Sequence, residues 1–111
     1  MEIVFSDAEL ARVCNSSTAR QERYGPEASA MLLRRLSQMA AAARLSDLRL
    51  LAAARIQACP GDERLGRLIT LAGRDHLAVR PRDNPPATLA DGALDEHAVR
   101  ALIVTAVTIA R

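Results

Sequence analysis

The chain has no lysine and no tryptophan, and Phe5 and Tyr24 are its only aromatic residues. Without lysine, Schiff-base chemistry and a lysine general base are excluded. All 15 basic residues are therefore arginines, a side chain suited to bidentate phosphate contacts. With so few aromatics, the base stacking used by single-strand nucleic-acid binders is almost absent. Cys14 and Cys59 are the only cysteines and lack a Cys-x-x-Cys spacing, so neither a zinc site nor a disulfide framework is signalled; both are expected to be buried and reduced. His76 and His97, the only histidines, leave little for a serine nucleophile or a Cys–His pair to work with. The longest apolar segment, Ala101 to Ala110, falls far short of the roughly 20 residues that cross a bilayer. Met1 to Asp7 lacks the basic region and long apolar run of a signal peptide. These absences predict a cytoplasmic protein with no membrane partner and no metal or other cofactor.

What remains is the composition of one globular domain, spanning residues 1–111. Half the residues are hydrophobic and 25% are charged, which predicts an aliphatic core of Leu, Ile, Val, Met and Ala. A formal net charge of +2 permits a polyanionic partner without demanding one.

Along the chain, Glu2-Ile3-Val4-Phe5 reads as a first strand ending at Ser6-Asp7. Ser6-x-x-Glu9 has the spacing of a capping box and predicts a helix beginning at Ser6. Asn15-Ser16-Ser17-Thr18 predicts a break or kink before Ala19 to Tyr24. Gly25-Pro26 starts a second helix, whose Ala28, Met31, Leu32, Leu36, Met39 and Ala43 recur at helical spacing while Glu27, Arg34, Arg35 and Gln38 fall elsewhere on the wheel. Ser46 is expected to cap a short helical turn through Leu51.

Three short strands are predicted at Arg55–Cys59, Arg67–Leu71 and His76–Val79, broken by Pro60-Gly61-Asp62 and Ala72-Gly73. A proline-rich surface excursion from Pro81 leads to a last strand at Ala101–Ile109. Its apolar, β-branched residues suit the middle of a sheet. Gly61 and Gly66 bracket a charged tip that lacks the Lys-Ser/Thr ending of a nucleotide-binding P-loop. That tip reads either as a hairpin connection with solvent-facing charges or as part of a cationic surface. On the second reading Arg55, Arg64, Arg67, Arg74 and Arg80, with Arg82 and Arg111, form a concavity that holds an RNA backbone.

Several stretches together are similar to the RelE/HigB-like toxins of bacterial type II toxin-antitoxin systems, in particular the plasmid maintenance killer subgroup. They are Met1 to Ser6, Leu10 to Asn15, Tyr24-Gly25-Pro26-Glu27-Ala28, Leu45-Ser46-Asp47-Leu48, Gly61-Asp62 with Arg64 and Gly66, Leu77 to Pro81, and Asp91-Gly92-Ala93-Leu94-Asp95. The resemblance implies an α+β, RelE-like fold: a small, mainly antiparallel sheet with two or three helices packed on one face. It implies cleavage of mRNA on the ribosome, without metal, restrained by a cognate antitoxin that is often a helix-turn-helix protein.

By that resemblance His76, Arg64 and Arg111 are the catalytic candidates, and Arg55, Arg67, Arg74 and Arg80 the RNA-binding ones. The chain also departs from the family pattern. Gln57 and Pro60 stand where the family tends to have His and Lys, His76 stands in place of an arginine, and Ile109-Ala110-Arg111 replaces an Asp-Tyr-His ending. Two functions stay open at this point: a ribosome-dependent endoribonuclease with a degenerate site, or a catalytically inactive relative that serves as an antitoxin-binding or co-repressor partner.

Overall fold

A computed structural model describes residues 1–110; the candidate Arg111 lies outside the described residues. Strand β1 (Glu2–Phe5) is followed by helices α1 (Ala8–Asn15), α2 (Ser17–Tyr24) and α3 (Pro26–Ala41), then by two 3-10 turns, Leu45–Leu50 and Ala52–Ala54. Strands β2 (Gln57–Cys59), β3 (Asp62–Ala72) and β4 (Asp75–Pro81) come next. A long excursion with a 3-10 turn at Glu96–Ala98 then leads to β5 (Ala101–Thr108). The fold is α+β, and its five strands form one sheet in the order β1-β5-β4-β3-β2. Only the β1–β5 pair is parallel.

The helical signals were mostly local and mostly hold, shifted by a residue or two. Just past the end of β1, the backbone N–H of Ser6 bonds to the Val104 carbonyl at 2.9 Å, which ties Ser6 to the sheet one residue ahead of the cap position. The N-cap of α1 is Asp7 instead, whose carboxylate accepts from the Leu10 N–H at 2.7 Å. The expected break falls on Ser16, which ends α1 and caps α2 by accepting from the Ala19 N–H at 3.1 Å. At the next corner Gly25 takes φ 86°, a conformation open to glycine, and Pro26 opens α3. Ser46 caps nothing: the turn it was expected to start is 3-10 and begins after Arg44, with no side-chain cap.

The strands differ more from expectation. β2 starts at Gln57 rather than Arg55, because Arg55 sits in the left-handed region at φ 42°, ψ 55° and cannot join a ladder there. β3 runs on to Asp62, so the predicted charged tip is itself strand and the connection shrinks to Pro60-Gly61. Cys59 pairs with Asp62 while Ala58 pairs with Arg67, and residues 63–66 bulge between those two pairs. The last strand does lie inside the sheet, between β1 and β4.

The core lies between one face of the sheet and the helices. Leu32 and Met39 of α3 and Cys14 of α1 pack with Ile69, Leu77, Val79, Leu102 and Val104, all but Cys14 from α3 or the three middle strands. Alternation along the strands sends Leu68, His76, Ala78, Arg80 and Ile103 to the opposite face. The core is aliphatic, as expected, with Met39 fully buried. Cys59 departs from expectation: it is half-buried in the β2–β3 hairpin rather than in the core, while Cys14 is buried and both thiols are free.

Among the described residues three arginines are buried as well, Arg20, Arg35 and Arg67. Arg35, placed off the apolar stripe by its spacing, is 3% exposed. A register shift between Thr70 and Ala72 disturbs the β3–β4 ladder there. Arg35 reaches from α3 to donate to the Thr70 carbonyl at 2.8 Å and the Leu71 carbonyl at 3.1 Å. The carbonyls at the bulge are thereby satisfied without water.

Candidate functional site: two ends of the open sheet face

The face away from the helices is built in rows across the strands. At the end nearest the β3–β4 turn, Thr70 pairs with His76 and His76 with Thr108. The next row holds Gln57, Leu68, Ala78 and Ala106. Further along, Arg80 pairs with Ile103, and Ile103 with Val4 on β1. The middle of the face is thus small and aliphatic, with polar groups at both ends.

At the turn end, His76 Nδ1 lies 3.0 Å from the Arg74 carbonyl oxygen. A carbonyl only accepts, so Nδ1 carries a proton and donates it to this bond. Arg74 is exposed on the turn. Asp75 Oδ1 accepts from the Ala110 N–H at 2.8 Å, which brings the end of the described chain beside His76.

At the far end, Arg80 pairs with Asp62 at 2.8 Å, and Arg82 pairs with Glu2. Arg64 donates from Nε to the Gly92 carbonyl at 3.1 Å, tying the β2–β3 hairpin to the excursion. Asp62 folds back over Gly66: a Cβ at Gly66 would sit 2.7 Å from Asp62 Oδ2, 2.9 Å from Cys59 Cβ and 3.0 Å from the Asp62 carbonyl. Glycine is required there by close approach rather than by its dihedral angles. Between Arg80, Arg82, the start of the excursion and Ile103 lies a cavity of ≈ 390 Å³.

The sequence candidates therefore scatter. His76 and Arg64 do not meet: Thr70, the partner of His76, and Arg64 lie at opposite ends of β3, up to about 20 Å apart at roughly 3.3 Å per strand residue. Arg67 does not face solvent as a phosphate contact. It is 9% exposed and donates to Glu96 at 2.7 Å and to the carbonyls of Glu63 at 3.1 Å and Gly66 at 2.8 Å. Its position on the core side of β3, paired with Val79, explains this. Arg55 is exposed but stands before β2, off the ladder. Arg74 stays with His76, and Arg80 with Arg82.

One residue went unread in the sequence. Glu96 binds two arginines at once, Arg49 at 2.6 Å and Arg67 at 2.7 Å, and so fastens the excursion to both the 3-10 turn and β3. The hydrogen bond from Arg49, with help from Arg67, holds its carboxyl below the ordinary 4.5 against the opposing pull of burial. Nothing in Asp95-Glu96-His97 signals partners so distant in sequence. His97 accepts from Arg44 Nη1 at 2.6 Å on the same flank. Among the described residues no group of His, Cys, Asp and Glu is arranged to hold a metal ion, and no helix is long and apolar enough to cross a membrane.

No protein-family model, no curated protein and no solved structure matches the chain.

Proposed function

We propose that the chain is a toxin-like component of a type II toxin-antitoxin pair that binds its antitoxin without cleaving RNA, acting as an interaction or co-repressor partner. The observation that supports this most strongly is the separation of His76 from Arg64. Phosphodiester cleavage needs an acid-base group and a cation converging on one phosphate, within hydrogen-bond reach of it. Here the histidine has one end of the sheet and most of the open-face arginines have the other. Gln57, in the row beside His76, supplies no proton at neutral pH. A RelE-like arrangement, in which the first strand pairs in parallel with the last and the helices cover one face, leaves surface for a partner whether or not the chemistry survives.

One observation favours the nuclease reading. The carbonyl of Arg74 fixes the His76 tautomer and leaves Nε2 free to accept a proton. Arg74, exposed on the same turn, would then be a neighbouring source of positive charge.

Co-expression separates the two. Produced alone in a bacterium, the chain is expected to leave growth unimpaired; produced with the small helix-turn-helix protein of an adjacent gene, it is expected to co-purify as a stoichiometric complex. Growth arrest that disappears in His76→Ala would overturn the non-catalytic reading, and failure to form any complex would overturn the partner role.

A further inference from the structure

The ≈ 390 Å³ cavity at the far end of the open face plays no part in the partner-binding reading. We propose that it is a binding site for a nucleoside phosphate, with Arg80 and Arg82 receiving the phosphate and the apolar wall receiving the sugar and base.

Its size falls within the roughly 300–1,000 Å³ of small-molecule sites. Arg80 lies near the end of β4, Arg82 lies one residue past that end at Pro81, and both line the cavity. Each arginine side chain is 48% exposed, and each pairs with a carboxylate side chain that solvent also reaches, Asp62 at 36% and Glu2 at 54%. Surface pairs of this kind hold weakly, whereas a phosphate offers the same forks a doubly charged partner with more oxygens. Asp62 and Glu2 do not line the cavity, so a phosphate bound there would compete with them for the two guanidiniums from the cavity side.

The rest of the lining suits a nucleoside rather than a bare anion. Leu65, Pro81 and Ile103 present flat aliphatic surface that inorganic phosphate would leave wet. Asn84 offers both a donor and an acceptor for a base edge, and the carboxylate of Asp83 accepts from a ribose hydroxyl. No aromatic residue lines the cavity, so affinity rests on the phosphate and on shape rather than on stacking. A free nucleotide supplies that doubly charged phosphate, whereas an internal residue of an RNA strand supplies only a singly charged phosphodiester.

An NMR titration of the full chain distinguishes these sources, using uridine monophosphate, a uridine hexaribonucleotide and inorganic phosphate. Saturable shifts are expected at the amides of Arg80, Arg82, Asn84 and Ile103, with the mononucleotide binding at least tenfold more tightly than phosphate. Arg80→Gln and Arg82→Gln are each expected to weaken binding about tenfold, and Arg23→Gln, on α2, to leave it unchanged. Equal or weaker affinity of the hexamer assigns the site to a free nucleotide and supports the proposal; a hexamer bound tenfold more tightly than the mononucleotide marks the face as an RNA-binding surface and overturns it. Equal binding of phosphate and mononucleotide, shifts centred on His76 and Thr108, or no saturable shift in the unmodified chain overturns it, whatever the variants do.

Discussion

At the turn end of the open face, His76 stands between two threonines with one ring nitrogen bonded to a backbone carbonyl. At the far end, Arg80 and Arg82 flank a cavity with their charges held by exposed carboxylates. The first end carries His76 with one exposed arginine, Arg74, on the turn; the second carries Arg80 and Arg82 and no histidine. Chemistry on a phosphodiester needs an acid-base group and a cation in one place, whereas binding needs only the cation. The sheet thus holds its open-face histidine and the Arg80–Arg82 pair at opposite ends.

Perturbing what both ends share should have the largest effect. Leu77 is fully buried in β4, the strand that carries both ends, and Leu77→Ala is expected to cost about 3 kcal/mol of stability, read from the urea midpoint, by loosening the core beneath the whole face.

Next is Glu96→Gln, which leaves the buried Arg67 without its counter-ion; a loss of about 2 kcal/mol near pH 7 is expected, localised by hydrogen exchange to the excursion and the far end. The pH dependence has a definite sign. Because the folded carboxyl titrates below its ordinary 4.5, its contribution is fully present above that value and is lost as pH falls through the folded one. Acid titration should therefore narrow the stability gap between the parent chain and Glu96→Gln; a gap that widens in acid would contradict the assignment.

Gly66→Ala acts on the far end alone. Its Cβ would crowd Cys59 Cβ and the Asp62 carbonyl, neither of which is the end of a flexible side chain, so about 1.5 kcal/mol is expected. The resonances of His76 and Thr108 should not move. The smallest effect belongs to Asp62→Asn, which removes the exposed partner of Arg80: stability should change by less than about 1 kcal/mol. If Asp62→Asn were to shift the His76 resonances, the two ends would be coupled after all.

How much of this was legible depended on whether a feature is local. Pro26 after Gly25, the break at Ser16 and the β-branched run of β5 each specify their structure within a few residues, and each was readable. Asp7 took the cap from Ser6 because a bond to β5, invisible in the local spacing, tied Ser6 to the sheet. The bulge after Pro60-Gly61 turned an expected loop tip into strand, since pairing with Ala58 and Cys59 decides its conformation. The buried arginines were the least legible. Arg35 and Arg67 look like surface residues until a bulge carbonyl and Glu96 arrive from elsewhere in the chain to satisfy them. For the same reason the candidate site read as one cluster in sequence and resolves into two ends in space.

The central claim is that proton transfer and positive charge are kept apart, so that the chain binds without cleaving. Mapping of RNA 5′ ends across the transcripts of a bacterium producing the chain alone tests it most directly. The account predicts the same ends as in cells without the chain. New ends within translated codons, absent when His76→Ala is produced instead, would contradict it.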